Sequence, residues 1–280
     1  MTIYSWVLEQ VSYEHCFCLE KKRIFAPYCK IENMSIIVNN VTKVFGEQYA
    51  LNKVSFEAKK GEIVGFLGPN GAGKTTMMKI ITGLIPPTEG NVTVCGLDIW
   101  KDSRKLHQIV GYLSEANPLY YDMYVREFLE FVAGVFKLKE KKKSVDEVVE
   151  LTGLTPEQHK KIGALSRGYK QRVGIAQALI HNPEVLILDE PTTGLDPNQL
   201  IEIRELIRSY GKNRTVLLST HIMQEVQAMC DHVVIINKGE LVADTRTKDL
   251  HLLAEKVGLQ TAADLDALSM EQLFHRLTQE

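Results

Sequence analysis

The chain has 280 residues and a net charge of -2, long enough for one large α/β domain with an embedded subdomain and too nearly neutral to be drawn as a whole to nucleic acid or anionic lipid. No stretch approaches the ~20 apolar residues of a membrane span. The five cysteines, Cys16, Cys18, Cys29, Cys95 and Cys230, are odd in number and scattered, which speaks against a disulfide framework and for a reducing, cytoplasmic setting.

Residues 1–33 read as an atypical leader, neither signal peptide nor amphipathic helix, because Glu9, Glu14 and Glu20 interrupt its apolar positions. Cys16 and Cys18 beside His15 lack the paired spacing of a metal site. Regular patterning begins at Met34, so the expectation is either that Met34 is the natural start or that the residues before it are a disordered appendage. Ile36, Val38 and Val41 alternate as in a strand, and Leu51, Val54 and Phe56 mark a second. Phe45, between them, is placed either to stack on an adenine ring, with Tyr49 as second choice, or to pack as an apolar side chain.

The apolar run 62–67 delivers the chain to GPNGAGKTT at 68–76, which fits the pattern G-x-x-x-x-G-K-[ST]. The loop of Gly68, Pro69, Asn70, Gly71, Ala72 and Gly73 can turn its backbone N–H groups inward, and a helix opening at Lys74 adds its positive end. Together with Thr75 and Thr76 this makes a cradle for a polyphosphate. Lys74 is the mobile cation for its β- and γ-phosphates, and the Thr75 hydroxyl is a Mg²⁺ ligand. The helix continues through Met77, Met78, Ile80 and Ile81 to Gly83, and Pro86-Pro87 forbid further turns.

A strand is expected at 91–95 and another at 110–113, leading into Ser114-Glu115. The segment after Asn117 becomes helical near Val125, with Leu129 and Val132 on a packed face that Phe128 and Phe131 broaden. The basic run 137–143 reads as a solvated connection, Val145, Val148, Val149 and Leu151 as a helix, and Thr155-Pro156 as the opening of another short one.

In LSRGYKQRV, residues 165–173, Ser166 and Gly168 fall at a helix N-terminus, where free N–H groups suit a phosphate. The apolar run 185–188 reads as a buried parallel strand ending in Asp189-Glu190, which puts two carboxylates where open α/β sheets bind ligands. Asp189 is expected to hold Mg²⁺, directly or through water, and Glu190 to point at the water attacking the γ-phosphate. Asp196 caps the next helix ahead of Pro197, and His221 follows the strand 215–218 at the phosphate end of the sheet. Asn237-Lys238-Gly239 marks a hairpin, and beyond Asp244 helical patterns involve Leu250, Leu253, Val257 and residues 270–277.

Taken in order, GPNGAGKT, LSRGYKQR, VLILDE, GLD and STH resemble an ATP-binding-cassette ATPase over roughly residues 34–244. The resemblance implies a P-loop NTPase fold with a mostly parallel core sheet, an antiparallel β subdomain and an inserted helical subdomain at about 115–180, followed by a short helical tail at 245–280. It also implies a head-to-tail homodimer with two ATP molecules at the interface, in which Ser166 and Gly168 reach the partner's γ-phosphate. Glu190 becomes the general base, His221 the γ-phosphate switch, Asp196 part of a communicating loop and Phe45 the adenine platform.

Within the family the chain is similar to ATPase subunits of ABC-2 type exporters, especially gliding-motility-associated ones, notably around NPLYYDMYVREF. That places it on the cytoplasmic face of the inner membrane through an integral membrane permease contacted by residues 112–123, with no nucleic acid partner. The alternatives are a soluble cassette acting on ribosomes or DNA and a low-turnover regulatory module. Three departures stand out: Arg167 where a signature glycine is usual and Tyr169 where a glutamine is; Glu115 where a glutamine normally approaches Mg²⁺; and a short tail.

Overall fold

The computed structural model describes residues 34–252 together with 274, 276 and 278. The leader, its three cysteines and His15, and the tail positions Leu253 and Val257 lie outside the described residues.

Three strands carry the centre of the molecule: β3 (Ile63–Leu67), β7 (Val185–Asp189) and β8 (Thr215–Thr220), buried at every position. Strands covered on both faces have no solvent side to populate, which is why they read as continuous apolar runs. With β6 (Val110–Leu113), β9 (His232–Asn237) and β10 (Glu240–Arg246) they form a six-stranded sheet in the order β10-β9-β3-β8-β7-β6, parallel except for β10. A second sheet of four strands runs β2-β1-β4-β5, from β1 (Met34–Phe45), β2 (Gln48–Lys59), β4 (Glu89–Val94) and β5 (Leu97–Asp98); β4 pairs antiparallel with both neighbours.

The two-residue period of a strand divides the parallel sheet between two cores. Val64 and Phe66 face a core shared with the four-stranded sheet and with helix α1 (Lys74–Ile81). Ile63 and Leu67 face the other core, which holds helices α3 (Val125–Val135), α4 (Lys141–Leu151), α5 (Arg167–Leu179), α6 (Pro197–Gly211) and α7 (Met223–Met229). A short helix α2 (Ser103–Ile109), which buries only Leu106, precedes β6; one buried residue leaves no readable periodicity, and it escaped the sequence reading.

Several local expectations need correction. Thr155-Pro156 opens no helix, because residues 155–160 form turns whose carbonyls at Gln158 and Lys160 accept from Arg126 and Val125 at the start of α3. The basic run 137–143 is only partly a connection, since α4 begins at Lys141. Phe131 and Leu151 do not join the core and are 50% and 44% exposed. Leu250 is buried in a short turn of 3-10 helix, Thr247–Leu252, and residues 274, 276 and 278 are helical. Among the described residues no helix is long and apolar enough to cross a membrane.

Candidate active site

The parallel strands β3, β7 and β8 end side by side, and each delivers polar residues to the same edge. After β3 the chain turns through Gly68, whose N–H donates to Thr220 O at 3.2 Å, and reaches Gly73, the N-cap of α1, at φ 106°. A Cβ on Gly73 would lie 2.5 Å from Ala50 O, so glycine is required there both by the dihedral and by the approach of β2. Lys74 is buried, and its Nζ donates to Gly68 O at 2.8 Å and Pro69 O at 3.2 Å. The loop's own carbonyls thus hold the charged end of the lysine.

Asp189 pairs in register with Ser219, and that pairing organises the two carboxylates. Ser219 Oγ donates to Asp189 Oδ1 at 2.6 Å and accepts from the Glu190 backbone N–H at 2.9 Å. Asp189 is fully buried, and its Oδ2 has no partner among the described residues. Burial raises the carboxyl's affinity for a proton and Glu190 adds to it, against the opposing pull of Ser219, Thr75 and Lys74. An orphaned carboxylate oxygen next to the Thr75 hydroxyl is a fit site for a divalent cation that takes its remaining ligands from phosphate and water.

Glu190 takes φ 51°, uncommon for a residue with a Cβ. Three donors converge on its carboxylate. Lys74 Nζ lies 3.3 Å from Oε1, Thr193 Oγ1 donates to Oε2 at 3.0 Å, and His221 Nδ1 is 3.0 Å from Oε2. The Tyr112 hydroxyl is also buried without a partner among the described residues, and burial, Asp189 and Glu115 together push its proton loss to high pH.

A cavity of about 450 Å³ opens over this edge, lined by Phe45, Tyr49, Asn70, Lys74, Thr75, Glu115 and Glu190 among others. It gathers the phosphate loop, both aromatic candidates for adenine, and the departure at Glu115. Phe45 is 53% exposed, with Lys43 Nζ 5.1 Å from its ring centre. Ser166, Gly168 and Asp196 are not in its wall. Ser166 caps α5 by accepting from Tyr169 N–H, and Asp196 caps α6 by accepting from Gln199 N–H, at 3.4 and 3.0 Å. The sequence reading missed Ser219, Thr193 and Tyr112, although Ser219 does stand at a strand end where carboxylates were already expected next door.

A family model described as ABC transporter matches residues 51–193. The chain belongs to the ABC transporter family. As the ATP-binding subunit of such a transporter it is an ATPase whose hydrolysis serves transport. This ABC ATPase is 42% identical to the bacitracin transport ATP-binding protein BcrA of Bacillus licheniformis over 215 residues, 75% of this chain and 70% of that protein. It is 38% identical to the Nod factor export ATP-binding protein I of Burkholderia orbicola (strain AU 1054), over 73% of this chain and 68% of that protein. Among solved structures it is similar to the dimeric post-hydrolysis state of the ATP-binding cassette MJ0796 bound to ADP and Pi, with TM-score 0.69, 29% identity, and coverage of 76% of this chain and 98% of that chain.

Proposed function

We propose that this subunit powers an ABC-2 type exporter, working as a homodimer on the cytoplasmic face of the membrane, with Glu190 as the base of ATP hydrolysis. The observation that carries the reading is the convergence of Lys74, Thr193 and His221 on the Glu190 carboxylate, at the strand edge that also bears the phosphate loop. When ATP enters, Lys74 exchanges Gly68 O and Pro69 O for phosphate oxygens. Glu190, released from the lysine, accepts the proton of the attacking water, and His221, hydrogen-bonded to it, fixes its orientation. Thr75 and Asp189, with Glu115 at the cavity wall, would hold Mg²⁺, which supplies charge neutralisation to the phosphates when bound.

In the homodimer Ser166 and Gly168 serve the partner's nucleotide, which fits their position outside the cavity of their own chain. The exposed rings of Tyr120, Tyr121, Tyr124 and Phe131 form an aromatic surface, in which Tyr120 meets Phe128 and Phe131 edge to face, suited to an apolar element of the permease. A bacitracin transport protein and a Nod factor export protein among the relatives support the exporter reading. Its narrower form, a gliding-motility type subunit, rests on the segment 117–128.

The test is to tag the protein in its native cell, extract membranes with mild detergent and identify what co-purifies. A multi-span protein in comparable amount, with ATP turnover in the complex, is the expected result. Ribosomal or DNA-bound material with no membrane partner overturns it.

A further inference from the structure

The departure at Arg167 has a structural counterpart in another element. Arg167 opens α5, where the helix dipole disfavours a cation and no acidic residue occupies the first turn. Among the described residues its guanidinium has neither hydrogen bond nor ion pair. It lies instead broadside on Gly194, in the loop between β7 and α6: a Cβ there would run into Cζ, Nη1 and Nη2 together. Gly194 sits at φ 73°, so it is glycine on both grounds.

The contact is returned from the other side. Gln199, in the first turn of α6, lays its carboxamide on Gly168 of α5, where a Cβ would strike Cδ, Oε1 and Nε2. Gln171 of α5 then donates from Nε2 to Pro191 O at 2.8 Å, one residue after Glu190. Each element thus offers a planar side chain to a bare glycine of the other, and the loop they enclose carries Thr193, which donates to Glu190.

We propose that Arg167 is a positioning residue: with Gln199 and Gln171 it clasps the loop 191–196 to the N-terminus of α5, so that movement of the signature segment reaches Glu190 through Thr193. A planar guanidinium is needed because it stacks on the backbone; a charge alone does not suffice. The inference rests on the reading of Glu190 as the base.

The experiment compares Arg167→Gly, Arg167→Lys and Glu190→Gln in the full chain. It measures ATP turnover, thermal midpoint and amide hydrogen exchange in the loop, where Thr193 and Leu195 N–H donate to Glu190 O and Thr192 O. The clasp predicts that both Arg167 variants lower kcat by roughly two- to thirtyfold with KM for ATP unchanged, the range of coupling through positioning residues. It also predicts faster exchange at Thr193 and Leu195, with the thermal midpoint held. Rescue by lysine, or an effect on KM alone, would show that Arg167 acts as a charge on the nucleotide and would overturn the clasp. Unchanged loop exchange would overturn it as well, whatever the turnover. Full turnover in Glu190→Gln would remove the base reading while leaving the exchange result to judge the clasp.

Discussion

The two ends of the parallel sheet bury charge in opposite ways. At the amino ends of β3 and β9, His232 lies between Glu62, 3.6 Å from its Nδ1, and Asp244, hydrogen-bonded to its Nε2, while Arg246 reaches Glu62 at 3.2 Å. At the carboxyl ends of β3, β7 and β8, Asp189 retains a buried oxygen with no partner among the described residues, and Glu190 sits in a strained backbone conformation. The first cluster is balanced in charge, two carboxylates against an imidazolium and a guanidinium, although His232 Nδ1 has no hydrogen-bond partner among the described residues. The second leaves Asp189 Oδ2 without a partner among the described residues, and its Glu190 lines the cavity beside the loop 68–73. Buried charge that is paired supports the fold, whereas buried charge left over is a place for a ligand.

Loss of the Glu190 carboxylate should have the strongest consequence. Glu190→Gln should lower kcat by roughly 10²- to 10⁴-fold in a steady-state ATPase assay while nucleotide binding survives; a variant with full turnover would make the open end as structural as the paired one. At the paired end, His232→Ala should destabilise the fold by roughly 2–3 kcal/mol in denaturant unfolding, less than the ~3–5 kcal/mol of a fully buried ion pair because Asp244 is partly exposed.

The pH dependence of that cluster has a definite sign. Burial alone would lower the His232 pKa, but Asp244 and Glu62 outweigh it and raise it to about 9 from an ordinary value of 6.5. The folded state therefore holds an extra proton between these values. Its stabilisation is complete below about 6.5 and is lost as pH rises through about 9. Thermal midpoints from pH 6 to 10 should fall across that window in the native chain and lose that component in His232→Ala.

At the open end the charged form is the unfavourable one, and stability again falls as pH rises, because this pKa is raised as well. Burial raises the pKa of Asp189, so at neutral pH its charge opposes folding. Asp189→Asn should raise the thermal midpoint of the nucleotide-free protein, by an amount on the order of 1 kcal/mol, while removing the response of turnover to Mg²⁺. A lower midpoint would mean that the carboxylate is structural after all. The smallest effect belongs to the exposed Phe45: Phe45→Ala should raise KM for ATP roughly fivefold, about 1 kcal/mol of base stacking, and an equal change in Tyr49→Ala but none at Phe45 would reassign the adenine platform.

The parts of the candidate site that sequence could propose are the contiguous ones. The glycines of 68–73, Lys74 and Thr75 form one loop, and Asp189 and Glu190 follow a strand whose unbroken apolar run announces burial on both faces. Asp196 and Pro197 opened α6 where the rules for helix starts put them. Where several elements compete for one surface, local pattern misled. Phe131 has the spacing of a core residue and yet lies exposed, and Thr155-Pro156 has a helix signature but spends its neighbours' carbonyls on α3.

By itself the sequence determined the local chemistry: which strands are buried, which loop can turn its amides inward, and which carboxylates end a strand. Only the tertiary structure decided who orients whom. Ser219 serves both Asp189 and Glu190 because parallel pairing sets Asp189 opposite Ser219, 30 residues away in the chain. Thr193 reaches back to Glu190, His232 finds Glu62 across the sheet, and Arg167 finds Gly194 across two elements. These contacts follow from strand register and helix packing, which depend on the whole core and leave no mark at either partner's own position in the sequence.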